Sequence, residues 1–243
     1  MSSREPIAWP PTLVFHAHPN VDAWTSSITA VVTDALRERL EQPSARPRLL
    51  VSGGTSPAPV FRALSQASLD WSRIDIALVD ERWLPPGDPD SNARLVSDNL
   101  LRNKAKGARF EPLVRANRSI ETVVHDANLH AQSPVDVVLL GMGDDGHTAS
   151  LFPHMRDLDS ALASTRPYVS VNATGCPGAG EWARRISLTP AGLARARTRL
   201  LLIRGKEKRD VLERAAGGTN PTECPIRIAF TTPGAVLHVH WCA

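Results

Sequence analysis

Residues 135–143, with the sequence VDVVLLGMG, join an apolar run directly to a glycine-rich loop. Only Asp136 interrupts the apolar run, which is typical of a strand covered on both faces of a parallel sheet. The glycines at positions 141 and 143 let the backbone turn sharply just after the strand ends. This stretch therefore predicts an α/β fold in which strands end in loops that can approach a ligand closely.

The flanking sequence repeats this alternation. Apolar patterning predicts further extended segments over residues 12–16, 48–51, 74–79, 185–188, 198–203 and 236–241. We predict helices over residues 22–40, 57–67, 92–101, 119–131, 190–196 and 206–216, with a long polar loop over residues 80–91. Strands separated by helices predict a mostly parallel, Rossmann-like sheet with helices on both faces.

The length and composition are those of a folded globular chain. The 243 residues are 42% hydrophobic and 22% charged, which excludes collagen-like, coiled-coil and intrinsically disordered chains. There is no repeat period and no low-complexity linker. We therefore predict one domain over residues 1–243, with residues 1–11 as a loosely ordered lead-in and residues 175–180 as a flexible loop.

The charge pattern argues against a nucleic-acid or membrane partner. The 28 Lys and Arg residues exceed the 25 Asp and Glu residues by only three, and they are spread along the chain. No segment approaches the roughly 18 consecutive apolar residues of a membrane span, and residues 1–6 lack an apolar core. We expect a cytoplasmic protein whose small positive excess suits a pocket for phosphorylated metabolites.

Cysteine and histidine spacing argues against a metal site. The three cysteines are isolated and form no C-x-x-C pair, so neither a disulfide framework nor structural zinc is expected. HAH at residues 16–18 and HVH at residues 238–240 each put two imidazoles on one face of an extended segment, but no acidic or cysteine partner has matching spacing. We predict no metal.

Ligands of open α/β sheets bind beyond the carboxyl ends of the strands. Residues 52–57, SGGTSP, lie between a predicted strand and a helix, where Gly53, Gly54 and Thr55 would offer backbone N–H groups to an anion. The segment is neither a Walker A loop nor a G-x-G-x-x-G motif. An ordinary turn is the alternative interpretation.

Charged residues follow the next strand. Asp80, Glu81 and Arg82 stand at its end and lead into the polar loop before Asn92. Asp80 and Arg82 are candidates for substrate contact. The alternative is a solvated ion-pair cluster, with Asn92 capping the following helix.

Residues 141–153, GMGDDGHTASLFP, carry the strongest chemical signal. Histidine exchanges protons near neutral pH, so His147 is a candidate general base, and nearby Asp145 can hold its ring or shape the loop. The chain has no G-x-S-x-G elbow, which argues against a serine nucleophile. The alternative is a structural histidine at the start of a short helix.

Basic residues follow two later strand boundaries. Arg185 enters a predicted strand beside Arg184, and Lys208 lies in GKEK at residues 205–208. Arginine can bind a phosphate dianion bidentately, and lysine binds it as a point charge. Exposed, solvated charge is the alternative interpretation for Arg184, Lys206 and Arg209.

Taken in order, five motifs resemble the 6-phosphogluconolactonases of the glucosamine-6-phosphate isomerase/6-phosphogluconolactonase family. They are SGGTSP, DERW followed by DSN, GMGDDGHTASLFP, RRISLT and GKEK. The match spans roughly residues 15–239 and is most specific over residues 141–153. It implies a single α/β domain of the isomerase/lactonase/CoA-transferase-like type without metal or organic cofactor. The implied reaction is hydrolysis of 6-phospho-D-glucono-1,5-lactone to 6-phospho-D-gluconate in the oxidative pentose phosphate pathway.

The resemblance also assigns roles to residues of this chain. His147 would be the general base that activates water, with Asp145 supporting it. The phosphorylated sugar lactone, the one partner expected, would be surrounded by Gly53, Gly54, Thr55, Asp80, Arg82, Arg185 and Lys208. We expect a monomer or weak homodimer. A δ-lactone is an activated ester, so a positioned base and anion-binding groups suffice without a covalent nucleophile.

Two alternatives remain. Glucosamine-6-phosphate isomerase/deaminase shares the Asp-Gly-His core, but that family carries a glutamate before the proline where this chain has Phe152, which cannot transfer a proton. A non-catalytic sugar-phosphate sensor would not need the intact Asp145-Gly146-His147. The chain departs from the family at residues 178–182, GAGEW, and matches weakly after residue 219.

Overall fold

The computed structural model describes residues 8–243. The strands are β1 (Leu13–His18), β2 (Arg48–Val51), β3 (Asp75–Leu78), β4 (Asp80–Arg82), β5 (Arg109–Glu111), β6 (Val135–Leu140), β7 (Tyr168–Asn172), β8 (Arg184–Leu188), β9 (Ala196–Arg204) and β10 (Leu237–Cys242). The α-helices are α1 (Val21–Leu40), α2 (Ala58–Ser65), α3 (Asn92–Asn99), α4 (Ile120–His130), α5 (Leu158–Leu162), α6 (Pro190–Leu193), α7 (Lys206–Gly217) and α8 (Ile228–Thr231).

Seven strands form a parallel sheet in the order β1-β10-β9-β6-β2-β3-β5. β6 is central, and all six of its residues are buried, as its apolar sequence predicts. Because every strand of this sheet runs the same way, β2, β6 and β9 present their carboxyl ends at one edge. The predicted α/β fold with a mostly parallel sheet flanked by helices is confirmed.

A second sheet was not predicted. Its order is β4-β8-β7, and both pairings are antiparallel. Residues 80–82 therefore form a strand rather than the start of the predicted polar loop, and β8 pairs with them instead of joining the main sheet. Three charged residues carry no strand periodicity, so only their pairing with β8 makes them a strand.

Other local predictions need correction. No helix begins at His147; instead Thr148 and Leu151 form an isolated β-bridge, and the Thr148 hydroxyl donates to the carbonyl of Gly141 at 2.9 Å. The helix predicted over residues 190–196 ends at Leu193, because the chain enters β9 at Ala196. The short elements β5, β7, α5 and α8 were not predicted.

Edge strand β1 and its neighbour β10 bring the two histidine pairs together. His16 donates to or accepts from His238 at 3.1 Å, and His18 and His240 are joined in the same way at 3.1 Å. Within residues 8–243, no group of three or more potential ligands is arranged to hold a metal ion.

The predicted lead-in falls partly outside the described residues, which begin at residue 8. Trp9, inside the predicted lead-in, stacks on Phe15 of β1 with 4.8 Å between ring centroids. No helix over residues 8–243 combines the length and apolar character needed to cross a membrane.

Candidate active site

A cavity of about 200 Å³ opens at the carboxyl ends of β2 and β6. The structure brings nearly all of the predicted site residues to its wall. These are Gly53, Gly54, Thr55, Asp80, Arg82, His147, Arg185 and Lys208. Asp145 stands behind the wall, bonded to His147.

His147 and Asp145 form a hydrogen-bonded pair. The Nδ1 atom of His147 lies 2.6 Å from Oδ1 of Asp145, and the backbone N–H of His147 donates to the same oxygen at 3.0 Å. Burial opposes ionisation of Asp145, but its hydrogen bond and charge interaction with His147 outweigh this and lower its pKa. With Nδ1 committed to Asp145, Nε2 is left for the cavity.

Two glycines make room for this pair. A Cβ atom on Gly143 would lie 2.0 Å from Nδ1 of His147, and one on Gly178 would lie 2.4 Å from Oδ2 of Asp145. Both distances are far below any allowed contact, so the pair fits only between residues without side chains. Gly178 belongs to the predicted flexible loop, which thus packs directly on Asp145.

Arg185 anchors this loop. Its side chain is only 4% exposed, and it donates from Nε to the carbonyl of Trp182 at 2.7 Å and from Nη2 to that of Ala179 at 2.6 Å. Burial lowers the pKa of the Arg185 guanidinium, and the negative charge of nearby Asp80 partly offsets this lowering. The guanidinium therefore both lines the cavity and holds the loop that covers Asp145.

The carboxylate of Asp80 is held by a hydrogen bond from Ser150. Its Oδ2 atom accepts the hydroxyl of Ser150 at 2.6 Å, and Nη1 of Arg185 approaches the same hydroxyl at 3.4 Å. The backbone N–H of Ser150 donates to the hydroxyl of Ser187 at 3.0 Å. These bonds tie the segment after His147 to both β4 and β8.

Glu81 is not part of a solvated ion-pair cluster, contrary to the alternative raised from the sequence. It is 1% exposed, and its carboxylate accepts the backbone N–H groups of Asn92, Ala93 and Arg82, each at 2.8 Å. Burial raises its pKa to about 7. Through these bonds Glu81 links β4 to the first turn of α3. A buried carboxylate requires N–H donors of this kind, because burying a charge without hydrogen bonds costs free energy.

Asn92 lies in the wall of the cavity, although the sequence indicated only a helix cap at this position. The N-cap of α3 is Ser91, whereas Asn92 lines the cavity and donates from its amide to the carbonyl of Asp80 at 2.7 Å. A Cβ atom on Gly53 would lie 1.8 Å from Oδ1 of Asn92. The only sequence signal for this contact was the DSN motif of the resemblance.

Lysine and arginine supply positive charge to the cavity. Nζ of Lys208 donates to the carbonyl of Met142 at 2.7 Å and pairs with Asp144 at 2.9 Å. Nη1 of Arg82 donates to the carbonyl of Asp90. The other basic residues considered, Arg184, Lys206 and Arg209, do not line the cavity and pair with Glu121, Asp210 and Glu213.

Known proteins resemble this chain over nearly its whole length. The profile of the family "Glucosamine-6-phosphate isomerases/6-phosphogluconolactonase" matches residues 19–241. A 6-phosphogluconolactonase of Xylella fastidiosa (strain Temecula1 / ATCC 700964) is 52% identical over 223 residues, which are 90% of this chain and 92% of the relative. A 6-phosphogluconolactonase of Rhizobium meliloti (strain 1021) is 42% identical over 79% of this chain and 83% of its own.

Solved structures share the fold. The crystal structure of a 6-phosphogluconolactonase from Shewanella baltica OS155 has a TM-score of 0.89 and 31% identity, and the match covers 97% of this chain and 100% of that one. A monomeric glucosamine-6-phosphate deaminase, at 18% identity, has a TM-score of 0.75. At that identity the second likeness concerns the fold alone.

Proposed function

The chain belongs to the glucosamine-6-phosphate isomerase/6-phosphogluconolactonase family, and we propose that it hydrolyses 6-phospho-D-glucono-1,5-lactone to 6-phospho-D-gluconate. The observation that carries the proposal is the 2.6 Å bond between His147 and Asp145 at a cavity that also holds Arg82 and Lys208. This arrangement combines an oriented base with cations for a phosphate.

In the proposed reaction, Nε2 of His147 takes a proton from water as the water oxygen bonds to C1 of the lactone. The resulting tetrahedral intermediate collapses, and the bond between C1 and the ring oxygen breaks. The imidazolium returns its proton to that oxygen, which becomes the C5 hydroxyl, and the new carboxylic acid loses a proton to solvent. Asp145 holds Nδ1–H and stabilises the imidazolium, as a carboxylate does beside a catalytic histidine.

The phosphate of the substrate is proposed to lie between Lys208, Arg82 and the loop of residues 53–55. Within the described chain, no backbone hydrogen bond from the amides of Gly53, Gly54 or Thr55 is found, so these donors are available to an anion. Arg185 and Asp80 complete the wall of the cavity. The guanidinium of Arg185 has further N–H groups besides the two that donate to the carbonyls of Ala179 and Trp182. In the cavity wall, the positive charges of Arg82, Arg185 and Lys208 outnumber the negative charge of Asp80, and a phosphate dianion would offset the difference.

Phe152 favours the lactonase over the isomerase/deaminase. Its side chain is fully buried, and its ring centroid is 4.3 Å from that of His147. Aldose–ketose isomerisation needs a further proton-transferring group, which phenylalanine does not supply.

We further propose a cytoplasmic, cofactor-independent enzyme of one domain that is monomeric or weakly dimeric. One connected apolar core that runs through both sheets supports the single domain.

Steady-state hydrolysis of 6-phosphogluconolactone at neutral pH, corrected for spontaneous opening, tests the proposal. We expect turnover by the wild type, its loss in His147→Ala, and no turnover of glucosamine 6-phosphate. His125→Ala, which changes an exposed histidine of α4, is the matched control and should keep full activity. Turnover of glucosamine 6-phosphate would favour the isomerase, and sugar-phosphate binding without turnover would favour the sensor.

A further inference from the structure

Phe152 packs against the imidazole of His147. The two ring centroids are 4.3 Å apart, and the planes are inclined by 38°. The guanidinium of Arg185 also lies over the Phe152 ring, with Cζ 5.1 Å from its centroid. Phe152 has no exposed surface, so the ring is enclosed between the cavity wall and the core.

The backbone on either side holds Phe152 in place. Leu151 is bridged to Thr148, and Ser150 is tied to Asp80 and Ser187 by hydrogen bonds of 2.6 and 3.0 Å. The N–H of Met155 donates to the carbonyl of Phe152 at 3.2 Å. The Phe152 ring therefore has one packed position, and its face provides a fixed contact for the imidazole of His147.

The hydrogen bond to Asp145 does not by itself fix the imidazole. A ring held at Nδ1 can still tilt about the axis from Nδ1 to Oδ1 of Asp145, and that tilt moves Nε2. Phe152 meets the ring, and the backbone of Gly143 approaches Nδ1 so closely that no Cβ fits there. Contacts with Asp145, Phe152 and Gly143 together leave one orientation.

We propose that Phe152 is a positioning residue for His147: it fixes the tilt of the imidazole so that Nε2 meets the attacking water at the lactone carbonyl. Its part in catalysis rests on the proposed function. Phenylalanine also suits the position chemically, because it has no hydrogen-bonding group to compete with Asp145 or water for the imidazole nitrogens. Phe152 acts through His147 and need not touch the substrate.

Phe152→Leu is the main test, because leucine keeps the site apolar but removes the flat ring. We expect kcat to fall about 10- to 100-fold, as for a misplaced catalytic group, with KM within about threefold of wild type. Phe152→Tyr keeps the flat ring but adds a hydroxyl, so its kcat should fall clearly less than that of Phe152→Leu without returning to the wild-type value.

Phe230→Leu is the matched control. Phe230 is 2% exposed and also lies under a guanidinium, that of Arg227 at 5.4 Å, but it does not line the cavity. Its loss should lower the melting temperature about as much as Phe152→Leu while kcat stays within twofold. Equal kcat in the two leucine variants would overturn the proposal.

NMR of the labelled imidazole gives a readout that does not depend on activity. In the wild type, ring-proton signals of His147, assigned with His147→Ala, should carry the ring-current shift of Phe152. That shift should vanish in Phe152→Leu and remain in Phe152→Tyr. If the wild type does not hydrolyse the lactone, the proposed function fails, and the spectra still decide whether Phe152 orients His147; unchanged signals in Phe152→Leu would refute the positioning role.

Discussion

The same carboxylate oxygen of Asp145 binds His147 twice, through Nδ1 of the ring at 2.6 Å and through the backbone N–H at 3.0 Å. This double contact closes a turn of three residues and sets the ring on that turn. The pair needs no distant residue to form, because both partners lie on one short loop. The residues around the pair, in contrast, come from several distant parts of the chain.

Asp145→Asn should lower kcat by about 100-fold or more, because an amide can donate to Nδ1 and favour the wrong imidazole tautomer. KM should change little, since Asp145 does not line the cavity. Steady-state kinetics on folded protein measures both. Asp98→Asn, which removes an exposed ion pair with Arg94, is the control and should match the wild type. A variant with unimpaired kcat would argue against Asp145 orienting His147.

Gly178→Ala should reduce kcat about tenfold and destabilise the fold by about 1–3 kcal/mol, the usual cost of overpacking. The added Cβ would meet Oδ2 of Asp145 at 2.4 Å, so either the carboxylate or the loop must move. Gly217→Ala, whose Cβ would meet nothing within 4 Å, should be tolerated. Denaturant unfolding and kcat are the measurements, and equal behaviour of the two variants would contradict the close packing.

Glu81→Gln should destabilise the protein by about 1–3 kcal/mol, because the amide group faces N–H donors and leaves at least one of them unsatisfied. KM should rise more than kcat falls, since Asn92 and Arg82 are held by this carboxylate at the cavity wall. Glu38→Gln, at an exposed position of α1, provides the comparison. Unchanged stability in Glu81→Gln would show that α3 does not depend on the carboxylate.

Acid should destabilise the fold through His240. Burial, reinforced by the neighbouring histidines, lowers its pKa from 6.5 to about 3. Below pH 6.5 the unfolded chain therefore binds a proton at His240, which the folded chain does not bind until the pH nears 3. The contribution of this group to stability is full above pH 6.5 and is lost as the pH drops towards 3. From pH 7 to pH 5 the loss from this group is about 2 kcal/mol.

His240→Leu removes this titration, so from pH 7 to pH 5 the variant should lose about 2 kcal/mol less stability than the wild type. Glu81, whose pKa burial raises to about 7, gains stability over the same range in both proteins and does not affect this difference. His16 and His18, whose pKa values are also lowered by burial, contribute a further acid-dependent loss in both proteins. Urea unfolding of both proteins at pH 7 and pH 5 makes the comparison. Identical losses in the two proteins would remove His240 as the source.

Local pattern was sufficient for much of the architecture. β6 begins and ends where its apolar run does, and α4 agrees with its prediction to within one residue at each end. These elements depend on spacing between near neighbours, which the sequence displays directly. The cavity also lies where the strand ends predicted it, because parallel strands bring their carboxyl ends to one edge.

The sequence by itself determined the alternation of strands and helices, the glycine-rich loops and the adjacency of Asp145 and His147, because each depends on residues close along the chain. Only the tertiary structure decided that Asp80–Arg82 is a strand and that Glu81 is buried. It also decided that Gly178 covers Asp145, that Phe152 packs on His147 and that Arg185 lies over Phe152. These features depend on the meeting of segments distant in sequence. Periodicity carries no information about such pairs, since backbone pairing and close packing select them only when the chain folds.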